Sequence, residues 1–88
     1  MQREQFTASM IREELGRFVS NELISGQNYS DSEDLLSTGS IDSLGVVRLT
    51  THVAETFSID VPPADLTIGN FQSIDTMTAY VQRKVSEQ

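Results

Sequence analysis

The chain has 88 residues, 38% of them hydrophobic, with no cysteine and a formal net charge of −7. That suffices for one small domain with a modest core and excludes a disulfide framework or a thiolate metal site. Thirteen acids against six bases make nucleic acid and anionic membranes poor partners, and no apolar run approaches the ~20 residues of a membrane span.

The first ten residues place Arg3, Glu4 and Gln5 early and hold no continuous apolar stretch. They do not read as a signal peptide, and a cytoplasmic location is expected. Phe6, Met10, Ile11, Leu15, Phe18, Val19 and Leu23 then recur at steps of three and four. This is the stripe of an amphipathic helix that should end near residues 24–26. Glu13 and Arg17 stand four apart on its wet face in the favourable order.

Residues 27–40, rich in Ser, Asn, Asp, Thr and Gly, read as a long loop. Unstructured segments of that length are uncommon in compact domains and are often functional. Leu35 and Leu36 should anchor the loop, and Tyr29 should tie it to the bundle. Asp31, Glu33 and Asp34 fail the calcium-loop pattern, since Leu35 and Leu36 fall where ligands and glycine are required. A solvated acidic loop is the expectation, with no metal.

A second helix is predicted over 43–57, with Asp42 as N-cap. Leu44, Val47, Val53 and Phe57 share one face, with Leu49 beside it. Residues 58–63 form an extended connection, because each proline biases the residue before it away from helix. Pro63 opens a short helical turn through Leu66. Residues 70–73 lead into a last helix capped by Ser73, with Ile74, Met77, Val81 and Val85 on one stripe and Tyr80 flanking. Met10 and Met77 read as core fillers. No segment alternates with period two. The fold class is all-α: a small antiparallel four-helix bundle of three main helices plus one short helix, in a single domain over 1–88.

Asp42-Ser43 carries the chemical signal. A turn over 37–40 delivers the pair to the start of the second helix. Free N–H groups and the positive end of the helix dipole gather there, so a phosphodiester on Ser43 is electrostatically tolerated. Asp42 suits capping and contact with a Mg²⁺ ion brought by a modifying enzyme. A hydrolytic triad fails: the only histidine, His52, lies nine residues along the same helix, ~13 Å away at 1.5 Å per residue. Position 41 is Ile, so the Gly-x-Ser-x-Gly nucleophile elbow is absent as well. His52 reads as a surface residue available for partner contact.

Asp42-Ser43-Leu44, then Val47, Leu49, Val53 and Phe57, then Ile59 and Val61-Pro62, then Phe71, Ile74, Tyr80 and Val81, resemble the acyl carrier protein family. That family serves fatty acid, polyketide, nonribosomal peptide and D-alanyl transfer systems. The resemblance implies a covalent 4′-phosphopantetheine arm on Ser43, taken from coenzyme A, whose thiol holds an acyl or aminoacyl group as a thioester. It implies a non-enzymatic, monomeric carrier. Its partners would be a phosphopantetheinyl transferase, an acyl- or aminoacyl-activating enzyme and a downstream transferase or synthase. Leu44, Val47, Arg48 and His52 become the docking residues. Val47, Leu49, Val53, Val61, Phe71 and Ile74 line the core or a cargo cavity.

Two departures from fatty acid carriers stand out. Gly45 and Arg48 occupy positions where those carriers display acids, and Gly39 lies four residues before the serine rather than three. The pattern looks more like discrete aminoacyl or peptidyl carriers loaded by a dedicated adenylating enzyme, or a specialised acyl carrier from a secondary-metabolite cluster. Thr50 and Thr51 favour a short cargo. The reading of another class is an acidic protein-interaction module that is never modified. The long base-free stretches on either side of Arg48 favour a partner with a basic docking face, or serve solubility alone.

Overall fold

The computed structural model describes residues 6–24 and 28–87; Arg3, Glu4 and Gln5, named above, lie outside them, as do residues 25–27, where the end of the first helix and the start of the loop were expected. Helix α1 spans Ala8–Phe18, opened by Thr7, whose hydroxyl accepts the Met10 N–H at 3.1 Å. It runs on into a π-helical turn over Val19–Leu23, closed where Ile24 donates to the Val19 carbonyl at 2.8 Å. Helix α2 spans Ser43–Phe57, α3 Ile68–Phe71 and α4 Ile74–Ser86, with a 3₁₀ turn at Pro63–Asp65. The described residues form an all-helical bundle.

Side-chain pairs set the direction of the first two helices. Phe57 meets Phe6 edge-on at 5.0 Å, His52 stacks on Phe18, and Arg48 reaches Glu22. As α2 advances its partners on α1 recede, so the two run antiparallel. The core is Ile11 and Leu15 from α1; Val19 from the π-helical turn; Leu49, Val53 and Phe57 from α2; and Ile74, Met77, Tyr80 and Val81 from α4, joined by Ile24, Leu35, Ile41, Ile59 and Phe71. Arg12 pairs with both Asp31 and Asp75, which ties α1 to the loop and to the first turn of α4.

The structure corrects several expectations. The buried row of α2 is Gly45, Leu49, Val53 and Phe57, an i, i+4 series. Leu44 and Val47 point outward, 67% and 53% exposed, so Val47 lines no core. Met10 is 44% exposed and fills no core position, unlike Met77. Arg17 pairs with Glu14 at 2.6 Å rather than with Glu13. Residues three and four apart are both neighbours on a helix, and Glu14, not Glu13, lies on the side that faces His52, to which it is bonded at 2.8 Å. Pro63 does open a turn, but a 3₁₀ one. The short α-helix forms just beyond it, where the Thr67 hydroxyl accepts the Asn70 N–H at 3.2 Å. Tyr80 is fully buried rather than flanking. Its hydroxyl donates to Asp65 Oδ2 at 2.6 Å, tying the 3₁₀ turn to α4. Burial first, and that bond second, raise its pKa far above the usual tyrosine value.

Candidate functional site

The 28–42 loop brings the site together by pinning two apolar side chains. Leu35 and Ile41 are buried, the Leu35 N–H donates to the Gln72 carbonyl at 2.6 Å, and the Ile41 N–H donates to the Leu35 carbonyl at 3.0 Å. Between them Asp34 organises a turn, accepting the Leu36 and Ser37 N–H groups at 3.1 and 3.0 Å. Those backbone donors hold its carboxyl below the usual carboxylate range, with the Ser37 N–H the chief cause. Gly39 takes φ +79°, a left-handed conformation that a side chain would strain. Tyr29 fastens the loop to α1, its hydroxyl 2.7 Å from the Ser20 hydroxyl and donating to the Gly16 carbonyl at 3.3 Å.

The loop ends at Asp42, whose Oδ1 accepts the Gly45 N–H at 2.8 Å and caps α2. Ser43 is therefore the first helical residue and not the cap. It is exposed at the positive end of the helix, with no part in capping. A nucleophilic or esterifiable hydroxyl is presented on a rigid corner, anchored on one side by Ile41 and on the other by the buried row of α2.

Leu44 and Val47 lie beside Ser43 on the outer face of α2, a small apolar surface at the end of the molecule that bears the serine. Arg48 is close by but engaged: its guanidinium is 3.2 Å from Glu22 Oε1 and donates to the Glu22 carbonyl at 3.3 Å. His52, expected on the surface, is half-buried between α1 and α2. Its ring lies 4.1 Å from that of Phe18 at 12°, and its Nε2 is 2.8 Å from Glu14 Oε2. It serves as a clasp inside the protein. Among the described residues no cluster of acids and histidines is arranged to hold a metal, in keeping with Asp31 and Asp34 being committed to Arg12 and to the turn.

Sequence reasoning gave Glu22 and Leu23 no place at the site and read Gly45 only as a missing acid; with Gly39–Asp42, Leu44 and Arg48 they surround a cleft of about 250 Å³ at the start of α2. A signal for Gly45 was present. Glycine inside a helix costs about 1 kcal/mol relative to alanine, so it asks for a packing or functional reason.

A family model described as a phosphopantetheine attachment site matches residues 7–81. No curated protein matches the chain.

Proposed function

This chain belongs to the phosphopantetheine attachment family of carrier domains, which take 4′-phosphopantetheine as a covalent prosthetic group, and we propose that Ser43 is the residue that receives it. The observation that carries this reading is the division of labour at the start of α2. Asp42 caps the helix, and Ser43 is left exposed at its positive end. The residues present fit the group: a phosphodiester on Ser43 Oγ would be held by the free N–H groups of the first turn.

In the transfer, Ser43 Oγ attacks the pyrophosphate of coenzyme A. The oxygen–phosphorus bond to serine forms, the adenosine bisphosphate portion leaves, and the serine proton passes to a base of the transferase. Asp42 keeps Oδ1 on the Gly45 N–H, and its other oxygen would be free to hold a Mg²⁺ ion brought by the transferase. Once attached, the arm supplies a terminal thiol that holds cargo as a thioester. The protein's own residues present and position it, and its partners perform the chemistry.

Within the carrier class we read the protein as a discrete acyl or aminoacyl carrier served by a dedicated partner set. The outer face of the first half of α2 displays Leu44 and Val47, and its one base is paired with Glu22. An apolar surface of this kind suits partners that dock by shape and apolar contact rather than on a row of acids. Leu44, Val47 and Arg48 are the docking residues of this reading. His52 is held inside the bundle and is left out of it.

The test is intact-protein mass after incubation with coenzyme A, Mg²⁺ and a broad-specificity phosphopantetheinyl transferase. The wild type gains the mass of one phosphopantetheine, and Ser43→Ala gains none while keeping its helical circular dichroism. A folded wild type that stays unmodified removes the assignment and leaves an unmodified interaction module.

A further inference from the structure

Gly45 belongs to the buried row of α2, two residues past the serine, and its neighbours leave no room for a side chain. A Cβ built there would meet Ile41 Cγ2 at 2.9 Å and Asp42 Oδ1 at 3.3 Å. The first distance is well inside the ~3.5–4.0 Å at which two carbons pack best. The second falls on the same oxygen that accepts the Gly45 N–H at 2.8 Å. Gly16 is the contrast within the molecule. It too lies inside a helix, α1, yet a Cβ there would meet nothing within 4 Å.

Ile41 has nowhere to retreat. Its side chain is buried and branched at Cβ, which stiffens its rotamer. Its N–H donates to the Leu35 carbonyl at 3.0 Å, and the Leu35 N–H donates in turn to the Gln72 carbonyl at 2.6 Å. Asp42 follows it directly in the chain and Ser43 comes next. Pressure on Ile41 is therefore passed to the cap and to the serine.

We infer that Gly45 and Ile41 are positioning residues for the modification of Ser43. The inference rests on Ser43 being the attachment residue. Neither side chain touches the hydroxyl; both act through Asp42 and the backbone. The bare backbone at Gly45 lets Ile41 pack on the first turn of α2. Ile41 fixes the residue before the cap, and Asp42 Oδ1 stays on the Gly45 N–H. With the chain held on both sides of it, Ser43 points its Cα–Cβ bond in one direction. Phosphoryl transfer needs that direction, because attacking and leaving oxygens must lie roughly in line, and a misplacement of about 1 Å can slow such a step about 100-fold.

The experiment compares full-length wild type, Gly45→Ala, the double variant Gly45→Ala with Ile41→Leu, and Gly16→Ala. Helical circular dichroism confirms that each is folded. Two quantities are measured: the steady-state rate of mass gain with coenzyme A, Mg²⁺ and a phosphopantetheinyl transferase, and the protection of the residue 45 amide against hydrogen exchange. Gly45→Ala should lower kcat about tenfold with little change in KM for the carrier, because Leu44 and Val47 keep their outward face. Its residue 45 amide should lose about tenfold in protection as the cap is pushed aside. Ile41→Leu keeps the volume of the core but removes the Cβ branch that the new methyl meets, so the double variant should recover most of both losses. Gly16→Ala, the same chemical change where there is space, should leave both at wild-type values. A Gly45→Ala protein with wild-type kcat, a loss carried wholly by KM, or a loss that Ile41→Leu does not relieve overturns the positioning role and leaves the Ser43 assignment standing. A folded wild type that gains no mass overturns that assignment and the positioning role with it.

Discussion

The two ends of α2 are built for opposite purposes. The last two turns are closed: His52 lies between Phe18 and Glu14, Val53 is fully buried, and Phe57 meets Phe6 edge-on. The first two turns are open on their outer side: Leu44 and Val47 face solvent, and the one cation, Arg48, is held by an exposed pair with Glu22. On the proposal that Ser43 takes the arm, a serine reached by one enzyme and then presented to others gains from a support that does not move. The closed end supplies that support, and the open end supplies the access. Stability and function are thereby separated along one helix of 15 residues.

Truncating each end in turn gives the largest contrast. Phe57→Ala removes a buried aromatic ring from the closed end and should cost about 3–5 kcal/mol, a large share of the ~5–15 kcal/mol expected for a small domain. Leu44→Ala removes a side chain that is 67% exposed and should change stability by no more than about 0.5 kcal/mol, while slowing transfer to or from a partner enzyme. Urea unfolding of both variants, with thioester-transfer rates for Leu44→Ala, checks the pair. A Leu44→Ala protein that is strongly destabilised would mean that the open end also carries the fold.

The contrast also marks what was legible in the sequence. Asp42 and Ser73 were readable as caps because a cap is a local matter: one side-chain oxygen meets a backbone N–H three residues on. The start of α2, and hence the placement of Ser43, followed directly. The inward face of α2 did not. A hydrophobic pattern scores Leu44 and Val47 as core and Gly45 as nothing, yet here the backbone at Gly45 is buried against Ile41 and the larger residues turn out. The π-helical turn at Val19–Leu23 has no local signature of comparable strength. His52 looked like a surface residue because its partners, Phe18 and Glu14, are more than thirty positions away in the chain.

The cap itself gives a smaller and sharper contrast. Asp42→Ala should cost about 0.5–2 kcal/mol, the usual loss for removing an N-cap side chain, with no loss of the closed-end contacts. Asp42→Asn keeps an oxygen for the Gly45 N–H and should recover most of that stability. If Asp42 also meets the transferase's Mg²⁺, the asparagine variant will be folded but modified slowly. Thermal melts and initial rates of mass gain separate the two roles, and equal rates for Asp42→Asn and wild type would confine Asp42 to capping.

The smallest effect is a pH dependence at the closed end. The hydrogen bond from Arg17 is the chief cause that lowers the Glu14 pKa below the usual glutamate value of 4.5, with partial burial opposing it and the His52 bond adding to it. A carboxylate whose folded pKa is depressed adds stability that is fully present above its unfolded pKa and disappears as the pH falls through the folded one. The difference in stability between wild type and Glu14→Gln should therefore be constant at neutral pH, about 0.2–1 kcal/mol for so accessible a group, and should shrink as the solution is acidified below pH 4.5. Asp34, whose pKa is lowered by the Ser37 N–H at the other end of the molecule, is untouched by the substitution and leaves a residual acid slope in both proteins. Parallel acid unfolding curves for wild type and Glu14→Gln would show that Glu14 does not secure the closed end, and that the aromatic contacts of Phe6, Phe18 and Phe57 hold it alone.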